Sequence, residues 1–181
     1  MFTQNISFKN FLTKNKNILV KKKLNLILKE KNQVIRSLSK SYKDSFSKKN
    51  IKHFNKKFDY RIIGMGGSTL GAQAIYDFLK KKIKKNFIFV DNLNSFKNKK
   101  VKKNLNNLII SKSGNTTETI VNANILIKKK DKNLFITEKK ESYLSLLAQK
   151  LKAEVVDHNN YIGGRYSVLS EVGMLPAELM G

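Results

Sequence analysis

The chain has 181 residues, enough for one ordinary domain with its own core, and 40% of them are hydrophobic. It contains no cysteine, which excludes disulfides, zinc–thiolate sites and cysteine nucleophiles and fits a reducing cytoplasm. The net charge of +24 invites a nucleic-acid reading, yet almost all of it is lysine scattered along the chain, with arginine only at Arg36, Arg61 and Arg165 and no tryptophan. Lysine, asparagine and isoleucine share A/T-rich codons, so the expectation is incidental charge that modestly favours anionic ligands, with no nucleic acid as partner. No membrane partner is expected either, because no apolar run approaches the roughly 20 residues of a membrane helix.

Residues 1–55 are lysine-rich. Leu24, Ile27, Leu28, Val34, Ile35 and Leu38 recur at near-helical spacing, which predicts one or two amphipathic helices forming an arm packed on a neighbouring core. The segment is poor in acids, but its scarcity of arginine and lack of a cleavage pattern argue against a transit peptide. His53 has no partner in view and reads as an exposed histidine.

From Phe58 the pattern alternates between strands and helices. A first strand, Phe58–Ile63, runs into Gly64-Met65-Gly66-Gly67-Ser68-Thr69-Leu70-Gly71, and a helix follows with Leu70, Ala74, Phe78 and Leu79 on its buried face. The second strand is Phe87–Asp91. The segment 92–107 is expected to hold a short helix or loop. Leu108–Ile110 is the third strand and leads into Ser111-Lys112-Ser113-Gly114-Asn115-Thr116-Thr117-Glu118-Thr119. The next helix should bury Ile120, Ala123 and Ile127. Asn133–Thr137 is the fourth strand, Tyr143, Leu147, Ala148 and Leu151 mark a further helix face, and Glu154–Asp157 is the fifth strand. Such alternation predicts an α/β fold, a three-layer αβα sandwich around a five-stranded parallel sheet. Ligands of such sheets bind beyond the carboxyl ends of the strands, where strand order reverses.

The Ser111–Thr119 stretch is the strongest chemical signal. A strand, a small polar loop and a helix together make a phosphate cradle, because the free N–H groups and dipole of the first helical turn favour an anion. Ser111, Ser113, Thr116 and Thr117 add hydroxyls, and Gly114 permits a tight turn. It is not a Walker loop, since the spacing of glycine, lysine and hydroxyl is wrong. A small phosphate monoester suits it better; the rival is a helix cap amid ordinary turn residues. The Gly64–Gly71 loop also partly fits a dinucleotide fingerprint, with Asp91 where a ribose-binding acid could stand, although its third glycine is displaced. Paired Gly66-Gly67 before Ser68 suits close backbone approach to a small ligand. Finally, Gly163-Gly164-Arg165-Tyr166-Ser167-Val168-Leu169-Ser170 delivers a rare arginine, a forked and permanently charged donor. His158, just before it, reads as a loop histidine.

The three motifs in this order resemble the glucose-6-phosphate isomerase (phosphoglucose isomerase) family, from about Phe58 to Gly181, with only a loose match in the arm. The middle motif alone would indicate the broader sugar-isomerase (SIS) domain, of flavodoxin-like fold. The resemblance implies a phosphate-binding loop of Ser111, Ser113 and Thr116 with the backbone around Lys112, a sugar-contacting pair Gly67 and Ser68, and a catalytic Arg165 that stabilises a negatively charged intermediate. It implies interconversion of glucose 6-phosphate and fructose 6-phosphate through a cis-enediol in glycolysis and gluconeogenesis, with no metal or organic cofactor, in a cytoplasmic protein that is a homodimer at full length. The implied division is an arm at 1–55, a sugar-phosphate-binding SIS domain at 56–160, and at 161–181 the arginine motif with the start of a second half. The family's glutamate base, ring-opening histidine and late lysine have no counterpart here. Glu118, Glu171 and Glu178 do not stand in the base's motif, and the expectation is an N-terminal part that is inactive alone. The alternative is a non-catalytic SIS-type sugar-phosphate-binding module or regulator.

Overall fold

Five short runs of β-branched and aromatic residues pair side by side, all parallel: β1 (Asp59–Ile63), β2 (Phe87–Val90), β3 (Leu105–Ile110), β4 (Lys132–Thr137) and β5 (Glu154–Asp157). Their order across the sheet is β2-β1-β3-β4-β5. The computed structural model describes residues 17–30, 32–54, 59–93 and 105–181. The α-helices are α1 (Ile18–Lys29), α2 (Gln33–Ser37), α3 (Lys48–Ile51), α4 (Leu70–Leu79), α5 (Thr117–Leu126), α6 (Tyr143–Leu151) and α7 (Glu171–Met180), with 3-10 turns at Gly66–Ser68 and Gly164–Leu169. This is the expected α/β fold, an αβα sandwich with the flavodoxin-like strand order, preceded by N-terminal helices.

Side-chain alternation along the strands builds two cores, one on each face of the sheet. On one face Tyr60, Ile62, Leu108, Ile110, Leu134 and Ile136 meet Ile51 and Phe54 beside α3, Ala72 of α4, and Leu175 and Leu179 of α7. On the other, Ile63, Ile109 and Phe135 meet Ala123 of α5 and Leu144 and Ala148 of α6. The central strands are therefore buried on both sides, which explains why they read as continuous apolar runs. Arg61 ties β1 to the end of α5, its guanidinium donating to Leu126 O at 2.9 Å, where the helix dipole is negative.

Several expectations need correction. β3 begins at Leu105, not Leu108, so Asn106 and Asn107 are buried strand residues. Asn106 Nδ2 donates to Phe54 O at 3.2 Å and Asn107 Nδ2 to Asn133 Oδ1 at 2.8 Å, which makes polar residues tolerable there. The remainder of the predicted 92–107 helix or loop, at 94–104, lies outside the described residues, as do Phe58 and the arm's first 16 residues. β2 stops at Val90, one residue before Asp91. On α4 the buried face is Ala72, supported by Ile75 and Tyr76, whereas Leu70 and Phe78 are exposed. The i, i+4, i+8 spacing of Leu70, Ala74 and Phe78 is real, but it faces away from the sheet. On α6, Leu144 and not Tyr143 is buried; the Tyr143 hydroxyl accepts from Asn124 Nδ2 at 2.8 Å. The α5 stripe of Ile120, Ala123 and Ile127 packs as expected. Helix α1 forms but buries none of its residues. Among the described residues, no helix is long and apolar enough to cross a membrane.

Phe135 is fully buried in the middle of the sheet. Phe135→Ala should cost about 3–5 kcal/mol of stability, read as a lower urea midpoint with an unchanged slope.

Candidate functional site

The topology puts the reversal of strand order at β1, which has β2 on one side and β3 on the other. Two of the three motifs leave the sheet there. The loop after β1 is forced against the end of β3: a Cβ on Gly64 would lie 2.8 Å from Ile110 O and 3.0 Å from Ser68 Cβ. Gly64 thus lies between Ser68 and the carbonyl that precedes the hydroxyl loop. The third motif arrives from beyond β5. A Cβ on Gly67 would lie 2.1 Å from Gly164 O, so the two backbones touch where neither has a side chain. Ser167 Oγ lies 3.2 Å from Gly67 O and 2.8 Å from Gly164 O, and its single proton is shared between these carbonyls. The structure therefore brings Gly67, Ser68 and the Ser111 loop to one end of the sheet, with the Arg165 turn resting on Gly67.

The hydroxyl loop is internally braced. Ser111 Oγ lies 3.0 Å from Thr116 Oγ1 and accepts from Gly114 N at 3.2 Å. Ser113 Oγ lies 3.5 Å from Thr116 Oγ1 and accepts from Asn115 N at 3.2 Å. Thr116 occupies the N-cap of α5, yet its side chain makes no cap hydrogen bond. Its hydroxyl is turned instead toward Ser111, which leaves the first-turn N–H groups of α5 without a side-chain cap. Gly114 has φ +68°, and a Cβ there would lie 2.1 Å from Ser142 Oγ, so both conformation and space demand glycine. The loop also supports α6: Asn115 Oδ1 accepts from Tyr143 N at 2.8 Å and Gly114 O from Leu144 N at 3.0 Å.

Lys112 differs from its neighbours. Its ammonium donates to Asn160 O at 2.6 Å and pairs with Glu138 at 3.4 Å, and Glu138 also pairs with Lys140 at 2.6 Å. Burial pushes the Glu138 carboxyl up, but the two lysines outweigh it and hold the carboxyl below its usual range. The Lys112 side chain bridges toward the 158–164 segment, so the expected backbone contribution at this position is the one left to the cradle. Arg165 is exposed on its turn. Beside it runs an open groove of about 660 Å³ bordered by Gly67, Leu70, Ala74, Phe78 and Val168.

One histidine reading changes. His53 is exposed as expected, with Nε2 3.1 Å from Glu154 Oε2, whereas His158 is buried, not a free loop residue. His158 Nδ1 lies 2.5 Å from Glu171 Oε1, and Tyr42 OH donates to Glu171 Oε2 at 2.9 Å. Sequence reasoning also passed over Ser167, which it quoted without a role, and Ser142, whose only signal was its position before an apolar helical stripe. Glu178, one of the three acids set aside as the base, pairs with Lys48 at 2.8 Å.

Comparison with known proteins agrees with this geometry. The family described as "Phosphoglucose isomerase" matches residues 11–181. The glucose-6-phosphate isomerase of Methanocaldococcus jannaschii is 40% identical over 133 residues, covering 66% of this chain and 32% of that protein. The glucose-6-phosphate isomerase of Mycoplasma genitalium is 36% identical over 163 residues, covering 75% of this chain and 37% of that protein. The chain thus spans about a third of the length of these curated relatives. Among solved structures, tagatose-6-phosphate ketose/aldose isomerase from Escherichia coli shares the fold with a TM-score of 0.54 at 16% identity, over 73% of this chain and 42% of that one. With the family matching residues 11–181, most of this chain, the chain belongs to the phosphoglucose isomerase family.

Proposed function

We propose that this chain supplies the sugar-phosphate-holding part of a glucose-6-phosphate isomerase. The observation that carries the reading is the convergence of the Gly64–Ser68 loop, the Ser111–Thr116 loop and the Gly164–Arg165 turn, three segments far apart in sequence. In this reading Ser111, Ser113 and Thr116, the backbone at Lys112 and the uncapped N-terminus of α5 hold the phosphate. The hydroxyl triad is already oriented by its mutual contacts, so little ordering is left for binding. Gly67 and Ser68 contact the sugar. Arg165 faces the oxygen that gains charge as a proton moves between C2 and C1 through a cis-enediolate, where a fixed cation lowers the barrier.

The reaction also needs a base. Glu171 is buried against His158 and Glu178 pairs with Lys48, which argues against either as that base. The proton-moving groups are therefore proposed to come from the part of the family's length that this chain does not span. The same reading divides the chain into an arm at 1–55, a sugar-phosphate-binding domain at 56–160 and an arginine segment at 161–181. It places the complete protein in the cytoplasm as a glycolytic and gluconeogenic enzyme acting as a homodimer on glucose 6-phosphate and fructose 6-phosphate.

Calorimetry with 6-phosphogluconate tests the cradle. Replacing Ser111, Ser113 and Thr116 together by Ala should abolish the binding seen with the parent chain; undiminished binding would sink the assignment. Joining the chain to the rest of a family-length sequence should give isomerase activity. In that protein Arg165→Ala should lower kcat by about 10²–10³-fold with a smaller effect on phosphate affinity. Full isomerase activity from the 181 residues alone would contradict the proposed origin of the base.

A further inference from the structure

The turn that carries Arg165 is spanned by a buried polar cluster that the reading above does not use. Residues 158–171 leave β5 and return at the first residue of α7. His158 is 3% exposed and Glu171 0%. Their side chains join the two ends of the segment, His158 Nδ1 to Glu171 Oε1 at 2.5 Å, and Asn159 N donates to the same oxygen at 3.2 Å. The other ring nitrogen, Nε2, lies 3.1 Å from Ile162 O, immediately before Gly163-Gly164-Arg165. A carbonyl only accepts, so Nε2 carries a hydrogen. Nδ1 and a carboxylate oxygen at hydrogen-bond distance need a second proton between them. The ring is thus a rigid two-ended bridge, one end on α7 and the other on the arginine turn.

The cluster extends to the arm. Tyr42 OH donates to Glu171 Oε2 at 2.9 Å and accepts from Asn159 Nδ2 at 3.0 Å. Burial pushes the Tyr42 phenol up, more than the Asn159 hydrogen bond lowers it. Burial also pushes the Glu171 carboxyl up, but hydrogen bonds from His158 and its own backbone, the His158 charge and Tyr42 together hold it below the usual range. Asp44 is the other acid near this carboxylate; burial and then Glu171 push it up. These contacts favour the ionised form of Glu171.

We propose that His158 and Glu171, closed from the arm by Tyr42, form a clamp that positions the Arg165 turn against Gly67. Its weight for substrate rests on the proposed function; its geometry does not. Besides the clamp, the described ties of the turn are the Ser167 hydroxyl, short-range backbone hydrogen bonds and the contacts of Gly164 on Gly67 and Val168 on Gly71, with Lys112 holding Asn160 O upstream. His158 and Glu171 are positioning residues, because they act on Arg165 through Ile162 and the start of α7.

The test uses the whole chain and nitrogen-15 NMR, with His53 as internal reference. His158 should show two slowly exchanging protons, one at each ring hydrogen bond, and His53 none. A single rapidly exchanging ring proton on His158 would overturn the clamp. Glu171→Gln keeps the side-chain volume. It should remove the proton on the Nδ1 side and speed amide exchange at Tyr166 and Ser170 at least tenfold, leaving Leu108 and Phe135 unchanged. Tyr42→Phe, a milder change at the cluster's rim, should move the same amides in the same direction if Glu171→Gln does not fold. Unchanged exchange in the turn for the folded variants would also overturn the proposal. Binding of 6-phosphogluconate, measured in parallel, separates the two readings. A parent chain that fails to bind while the turn still responds to Glu171→Gln loses the proposed function and keeps the clamp. Binding with an unresponsive turn does the reverse.

Discussion

The arrangement depends on one backbone contact, Gly67 against Gly164. A Cβ on Gly67 would overlap the Gly164 carbonyl, so the contact demands glycine at Gly67, whereas a Cβ on Gly164 would meet open space. Because β1 is the pivot of the sheet, fixing Gly67 also fixes what lies on its other side. Gly64 lets the β1 loop sit on Ile110 O, and the hydroxyl loop starts at the next residue. One glycine-lined seam thus registers three loops that originate from β1, β3 and the segment beyond β5. Ser167 reinforces it by sharing its proton between the two carbonyls. The seam costs conformational entropy, since glycine is the residue with most freedom to lose. That loss is offset by the packing of α4 and α7 on a common face of the sheet.

The hydroxyl loop leaves the end of a helix uncapped. A threonine at a helix N-cap normally spends its hydroxyl on the first turn. Thr116 is held by Ser111 instead, so the dipole and N–H groups of α5 stay available to an anion. Gly114 and Asn115 meanwhile brace α6 from the other side of the loop. The loop is rigid because it also supports a neighbouring helix, which is why its hydroxyls need not be held by the ligand itself.

Much of this was legible in the sequence, and the failures have a common physical cause. Period-2 and continuous apolar runs located all five strands, and glycine and hydroxyl clusters located the loops. What failed depends on contacts between distant residues. Asn106 and Asn107 look like loop residues until Phe54 O and Asn133 are brought beside them. Helix α4 has two apolar stripes, and periodicity cannot say which one meets the sheet; α7, packed on the same face, is what decides it. His158 looked like a loop residue because its partners, Glu171 and Ile162, lie in no repeating register with it. The hydroxyl loop was legible because its contacts are local, with Ser111, Ser113 and Thr116 within one short stretch of chain.

The choice of partner for Glu171 follows the same logic. In a chain so rich in lysine, a buried carboxylate could have been neutralised by one of many ammonium groups. Lysine would bring a compact charge on a flexible stem and lose rotamer entropy on burial. It has no flat, rigid pair of donors to set a distance between two acceptors. The imidazole does, and here it spans a carboxylate on α7 and a carbonyl before the arginine turn. Burying an ion pair is not in itself a source of stability, because desolvation opposes the Coulombic gain. What the pair adds is geometry. It sets the spacing between the start of α7 and the turn, and with it the place of the exposed Arg165 beside Gly67.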